Sequence, residues 1–163
     1  MDLALLIARL IIGLGLAAHG AQKLFGWYGG YGTKGTGEFM ASLGFAAGVP
    51  MAILAGVAEF GGGLLTALGI LGPIGPALII AVMTEAILTV HIKNGWFSQK
   101  NGMEFPFTVA AGALLLAFTG PGTYSLAELF GGFSSLWSIQ TTWIIVGIAV
   151  IGAVMISKVL RKA

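Results

Sequence analysis

Apolar runs of roughly bilayer-crossing length alternate along the chain with short breaks carrying glycine, proline and charge. A membrane helix needs about 20 mostly apolar residues to cross a hydrocarbon core roughly 30 Å thick. The first run, from about Leu3 to Phe25, meets that length and ends at Gly26-Trp27-Tyr28-Gly29-Gly30, where aromatics and glycines suit a headgroup-level turn. The second, roughly Val49 to Leu71, is separated from the third, about Ala77 to Ile92, only by Gly72-Pro73-Ile74-Gly75-Pro76. So short a hairpin makes these helices antiparallel neighbours. Asn94-Gly95 marks the next turn, and Pro106 sits in the first turn of a short fourth helix ending near Thr119. A fifth helix covers about Trp137 to Ile156. Two brief interfacial elements are expected as well: Thr36 to Leu43, stopped by Gly44, and Ser125-Leu126-Ala127-Glu128, whose S-x-x-E spacing fits a capping box. The pattern predicts an all-α integral membrane protein with five transmembrane helices.

Composition sharpens this reading by exclusion. Of 163 residues, 57% are hydrophobic and 9% charged, and the mean hydropathy of +0.97 rules out an ordinary water-soluble domain. Five spans leave no room for a soluble catalytic domain. The chain has no cysteine, so disulfides, thiolate nucleophiles, iron–sulfur ligation and dithiol chemistry are all excluded, and electron transfer would need a bound cofactor or a quinone. The formal charge of +2 comes from scattered basic residues, which argues against a nucleic-acid partner and for membrane topology. Lys34, Lys93, Lys100, Lys158, Arg161 and Lys162, with Lys23 at a helix end, fall on one side of a five-helix arrangement. By the positive-inside rule that side is cytoplasmic, placing the C-terminus inside and the N-terminus outside the cell membrane. The first helix opens on Asp2 and carries Arg9, His19 and Lys23, so it is expected to be retained and not cleaved as a signal peptide.

Ionisable groups inside spans carry the candidate chemistry. A central Asp, Lys or Arg costs about 2.5 to 3.5 kcal/mol on insertion scales, so such groups face the bundle interior and find partners. Here they are Arg9, His19, Glu59, Glu85 and His91. Counting 1.5 Å per residue from the inner helix ends puts both glutamates roughly 12 to 15 Å deep, His19 roughly 9 Å deep and His91 near the inner surface. At 100° per residue Arg9, Gly13, Leu16, Gly20 and Lys23 share one face of helix one, with His19 at its edge. Ala52, Gly56, Glu59, Gly63 and Thr66 align likewise on helix two, where small residues let a neighbouring backbone approach.

Each candidate has a structural alternative. Arg9 with Glu59 reads equally as a packing ion pair or as a functional pair. Lys23 and Lys93 read first as snorkelling anchors, and Trp27, Trp96, Trp137 and Trp143 as membrane-belt residues. His91 is balanced between an interfacial and a functional role, whereas His19 inside an apolar face favours function. Haem b ligation by the two histidines is the less favoured cofactor, and His19, Glu59 and His91 lack the close spacing of a metal site. A pocket in which His19 and Glu59 bind or protonate a polar headgroup, such as a quinone carbonyl, is preferred.

At these residues the sequence resembles the DoxX family of small bacterial membrane proteins. The resemblance rests on Arg9, His19-Gly20-Ala21-Gln22-Lys23-Leu24-Phe25-Gly26-Trp27, Gly35-Thr36-Gly37, Ala55-Gly56-Val57-Ala58-Glu59, Thr89-Val90-His91 with Asn94-Gly95, Glu104, and Gly120-Pro121-Gly122-Thr123-Tyr124-Ser125. It covers roughly residues 3 to 130 and is nearest to the branch described as the oxidoreductase CatD of Gram-positive bacteria. The resemblance implies a four-helix transmembrane domain over 1–130, to which 131–163 add a fifth helix and a basic tail. It carries over Arg9, His19, Lys23, Glu59, His91, Asn94 and Glu104 as site positions. Glu85 departs from the family pattern, which has an apolar residue there, and helix five lies outside it.

The expected function is therefore a membrane oxidoreductase component that binds a quinone or quinone-like aromatic in the inner half of the bundle. His19 and Glu59 would handle protons, Arg9 would tune the carboxylate, and Lys23, Glu85, His91, Asn94 and Glu104 would contact the ligand. Electrons would come from a soluble or membrane oxidoreductase partner. The alternatives are a binder or transporter of small molecules or lipids, and a scaffold whose small-residue pair Ala149 and Ala153 recruits oxidoreductase subunits or forms homo-oligomers.

Overall fold

The computed structural model describes residues 1–130 and 137–161, and Lys162 of the charge argument lies outside them. Among the described residues the chain is helical, with no strand. The helices are α1 (Asp2–Phe25), α2 (Gly32–Ser42), α3 (Gly48–Leu68), α4 (Ile74–Ala86), α5 (Glu104–Thr119), α6 (Leu126–Leu129) and α7 (Ile139–Val159). Past Ala86, α4 continues through a π turn at Ile87–His91 and a 3-10 turn at Ile92–Asn94, giving an unbroken rod over Ile74–Asn94. The α1, α3, α4 and α7 rods are long and apolar enough to cross a membrane, and α5 is a shorter apolar helix of 16 residues. The protein is an all-α integral membrane bundle.

Helix boundaries differ from the sequence expectation where capping or packing overrides composition. The second span ends at Leu68 and not at Leu71, because Gly69 takes a left-handed φ of 66° and donates to Thr66 O while Ile70 N bonds Leu65 O. This paired closure satisfies the last carbonyls and stops the helix. The third span starts at Ile74, ahead of Pro76, since a proline in the first turn gives up no intrahelical bond. The final helix begins at Ile139, where the Ser138 hydroxyl accepts from Thr141 N at 3.1 Å, and runs on to Val159. Ser125 caps α6 as its spacing predicts, accepting from Glu128 N at 3.2 Å.

The α2 helix is longer than its glycine-rich sequence suggests, and its packing explains why. A Cβ at Gly37 would lie 2.6 Å from Val49 Cγ2, so the bare glycine lets α2 lie flush on the start of α3. The α1–α3 contact is similarly close and runs along more of the two helices. A Cβ at Gly13 would meet Ala67 N and Gly63 O at 2.6 Å, and one at Gly63 would meet Ala17 N at 2.6 Å. Backbones this close sit in a small-residue seam, the usual means of helix association where lipid removes the hydrophobic drive. The face predicted on α1 is the buried one: Arg9, Gly13, Leu16, Ala17, Gly20 and Ala21.

Two apolar clusters fill the bundle. One joins Leu16 with Ile79, Ile80 and Met83 of α4, Ala113 and Ala117 of α5 and Val146 of α7. The other, built from Met40, Phe45, Met51, Ala52 and Ala55, plugs the end where α2 meets α3. There Phe45 pairs its backbone with Arg161, whose Nε donates to Leu43 O at 2.8 Å. Ala149 and Ala153 pack inward, towards the α4 cluster. Trp137 donates Nε1–H to Ala117 O at 3.2 Å, while Trp27, Trp96 and Trp143 stay exposed as belt residues do.

Candidate functional site

The register of the α1–α3 seam decides which ionisable groups meet. Gly20 lies against Gly56 and Phe60, and Gly56 in turn sits under Leu24 and Lys23, whose Cβ would be 3.3 Å from a Cβ at 56. The missing side chain at position 56 lets the end of α1 press onto α3. Lys23 Nζ thereby reaches Glu59 Oε2 at 2.5 Å. Glu59 keeps 4% of its side-chain surface exposed and Lys23 25%. The lysine is thus the countercharge of the buried carboxylate, and not only a snorkelling anchor.

The expected Arg9–Glu59 pair does not form. Arg9 is buried near the far end of α1, where its Nη2 donates to the Tyr124 carbonyl and its guanidinium lies against Gly69. Gly69 stands ten positions beyond Glu59, about 15 Å along the axis at 1.5 Å per residue, so antiparallel packing puts Arg9 and Glu59 on different levels. Nε and Nη1 of Arg9 are buried without a hydrogen-bond partner among the described residues.

Beside the Lys23–Glu59 pair lies a cavity of about 280 Å³, walled by α1, α2, α3 and α4 and reaching the loop at Asn101. Its polar lining comprises Lys23, Glu59, Glu85, Thr89, His91 and Asn101. Glu85 projects from α4 two residues before the π bulge, and its Oε1 is buried without a partner among the described residues. The bulge takes in the Thr89 and His91 positions, and both line the cavity; π bulges recur at functional sites because they re-aim side chains at some cost in helix regularity. Thr89 spends its hydroxyl on Glu85 O at 2.8 Å, repairing the local ladder.

His91 Nδ1 lies 2.8 Å from Asn101 O. A carbonyl only accepts, so Nδ1 carries the hydrogen and Nε2 is the acceptor of the neutral ring. Asn94 Nδ2 donates to the same carbonyl and to Val90 O, both at 3.1 Å, and Glu104 Oε2 accepts from Ser98 N at 2.9 Å. Asn94 and Glu104 therefore fasten the loop that carries Asn101 and do not line the cavity. His19, expected to face the bundle interior, is exposed and stands apart from the lining, edge-on to Phe105 with ring centroids 6.1 Å apart. A haem, far larger than a single aromatic ring, does not fit the cavity. Sequence reasoning missed Asn101, which acts through its backbone at a φ of 58°, and Arg161, which closes the plug through a tertiary contact; neither leaves a local signal.

A second, open groove of about 660 Å³ runs between the end of α1 and α2, lined by Gln22, Tyr31, Thr36, Glu38 and again Lys23. Lys23 therefore stands between this groove and the inner cavity.

Comparison with known proteins agrees with this frame. The sequence profile of the DoxX family matches residues 4–92, a stretch holding Arg9, His19, Lys23, Glu59, Glu85 and His91 but neither α5 nor α7. The chain is 33% identical over 132 residues to the inner membrane protein YqjF of Escherichia coli K12, covering 78% of this chain and 92% of that one. It is 33% identical over 127 residues to the inner membrane protein YphA of the same organism, covering 75% and 86%. No solved structure matches. With more than half its length matched by the profile and two such relatives, the chain belongs to the DoxX family.

Proposed function

We propose that the protein is a membrane oxidoreductase component that binds the ring of a quinone or quinone-like aromatic in the cavity beside Lys23 and Glu59. One observation carries the reading: a 280 Å³ cavity inside a membrane bundle is lined by an ion pair, a second carboxyl and a histidine. Intramembrane ionisable groups are costly and are kept where they bind or move charge. The volume lies just below the usual range of ligand pockets, about 300 to 1,000 Å³, and suits one or two fused rings.

Reducing a quinone to a quinol takes two electrons and two protons. Glu59, Glu85 and His91 surround the space where the ring oxygens would lie and exchange protons with them. Lys23 takes the place first given to Arg9, holding the carboxylate of Glu59 in position. Electrons come from an oxidoreductase partner, soluble or in the membrane, because the chain has no thiol of its own. Replacing Glu59 by Gln keeps shape and membrane insertion and is expected to abolish binding of a naphthoquinone to the purified protein. Unchanged binding by Glu59→Gln rules the role out.

We further propose a plasma-membrane location with the N-terminus outside. Lys34, Lys93, Lys100, Lys158 and Arg161 gather at the α1 C-terminal end of the bundle, which supports a cytoplasmic face there. A second reading, a proton-coupled binder or transporter of small polar solutes, is favoured by Lys23 lining both the open groove and the cavity. Solute uptake into proteoliposomes without any electron donor would select it.

A further inference from the structure

We infer that the cavity is entered sideways from lipid, through an apolar groove between α3, α4 and α7, and that its ligand is a ring carrying a hydrocarbon tail. The inference rests on the ring-binding reading above and extends it to the class of molecule and its route. The groove measures about 210 Å³ and shares Ala55, Val82 and Glu85 with the inner cavity. Every other residue on its walls is apolar, among them Leu54, Leu78, Ile148 and Ile156. Glu85 is thus the one polar group in the groove and stands where a dry, lipid-like channel turns into a polar cavity.

Three further features fit a tail in the groove and a headgroup at its inner end. First, Glu85 Oε1 is buried without a partner, and a polar atom at bilayer depth is costly until something hydrogen-bonds it. A quinol hydroxyl donating to the carboxylate, or a quinone carbonyl accepting from the acid, fills that vacancy. Second, the α7 side of the groove is cut low by Ala149, Gly152 and Ala153, and a Cβ at Gly152 would meet nothing within 4 Å. Third, Met40 and Leu43 wall the cavity, backed by Phe45 in the same cluster as Met40 and by Arg161, which donates to Leu43 O. Between the apolar groove and the polar openings of the cavity at Lys23 and Asn101, an aliphatic tail on a bound ring partitions to the groove. The α7 helix lies beyond the family match at 4–92, so this wall is an addition to the shared core.

The test compares two probes, a naphthoquinone bearing an isoprenoid tail and the same ring bearing only a methyl group. Equilibrium binding is measured in lipid nanodiscs, with concentration expressed per lipid. Gly152→Leu places an isobutyl group in the groove, and Gly147→Leu, equally free of neighbours but outside the groove lining, is the control on the same helix. For Gly152→Leu the tailed probe is expected to weaken roughly tenfold, the effect of one badly placed buried side chain, while the methyl probe is unchanged. Retained binding of the methyl probe also reports that the variant is folded. Gly147→Leu should alter neither. Equal responses of the two probes to Gly152→Leu overturn lateral entry while leaving ring binding intact. A dimer lost on Gly152→Leu with no change for the tailed probe assigns the groove to a second copy and likewise overturns it. If wild type binds neither probe, ring binding itself fails and this inference falls with it.

Discussion

Removing the lysine from the Lys23–Glu59 pair tests how much of the inner bundle depends on one contact. In Lys23→Met the aliphatic stem is kept and only the ammonium is lost, so Glu59, 4% exposed, is left without its countercharge. Breaking a fully buried pair costs about 3 to 5 kcal/mol, whereas an exposed pair is worth about 0 to 1. With one end buried and the other 25% exposed, the expected loss is about 2 to 3 kcal/mol. Glu59→Gln should cost less, about 1 kcal/mol, because the freed lysine can extend to the interface while the amide fills the same space. The double variant Lys23→Met with Glu59→Gln carries no stranded charge and should recover to within about 1 kcal/mol of wild type. Unfolding by SDS in mixed micelles, run on all four proteins, yields the coupling energy of the pair. A coupling below about 0.5 kcal/mol would refute the reasoning, since the 2.5 Å contact would then hold nothing together.

The seam between α1 and α3 makes a second prediction: Gly13→Leu forces a side chain into Gly63 O and Ala67 N and should destabilise by about 3 kcal/mol or more, while Gly15→Leu, with nothing within 4 Å, should be within about 0.5 kcal/mol of wild type in the same SDS titration. Arg9→Met removes two buried unpartnered nitrogens and should be neutral or stabilising by about 1 to 3 kcal/mol, so a large destabilisation would mean that the Tyr124 contact matters more than the orphans cost. The natural absence of cysteine allows topology to be read directly: Glu128→Cys should react with a membrane-impermeant maleimide in intact cells and Lys34→Cys only after lysis, and the reverse pattern would invert the orientation. His91→Ala should loosen the 95–103 loop and raise its amide exchange near Asn101, whereas unchanged exchange would show that Asn94 alone suffices to hold it.

Local pattern made the framework legible without any structure. The helices of a membrane protein must satisfy their own backbone and face lipid, so run length and apolar content locate them to within a few residues. The buried face of α1 and that of α3 followed from 100° phasing of Arg9, Gly13, Gly20, Gly56, Glu59 and Gly63, because small and charged residues avoid lipid. Family membership was equally local, carried by the stretch from His19 to Trp27 and its partners down to His91. The pairing of those residues was not local. Glu59 has Lys23 and Arg9 as candidate countercharges on one helix face, and nothing in either sequence run says which lies at its depth.

That choice belongs to the axial register of two antiparallel helices, set by glycine contacts such as Gly20 on Gly56, and it moved the countercharge from Arg9 to Lys23. The π turn after Ala86 is another tertiary outcome, since no residue between Ile87 and His91 forbids an ordinary helix. It adds a position to the turn that carries Thr89 and His91, both of which line the cavity with Glu85. His19, the histidine favoured by its apolar surroundings, is instead exposed, with its ring edge-on to Phe105. By itself, then, the sequence determined where the apolar helices lie, which faces α1 and α3 bury and that Arg9 and Glu59 are held inside, because each follows from the cost of polar atoms in lipid. Only the tertiary structure decided which of those groups meet and where a cavity remains between them, because both depend on the register and spacing of helices far apart in the chain.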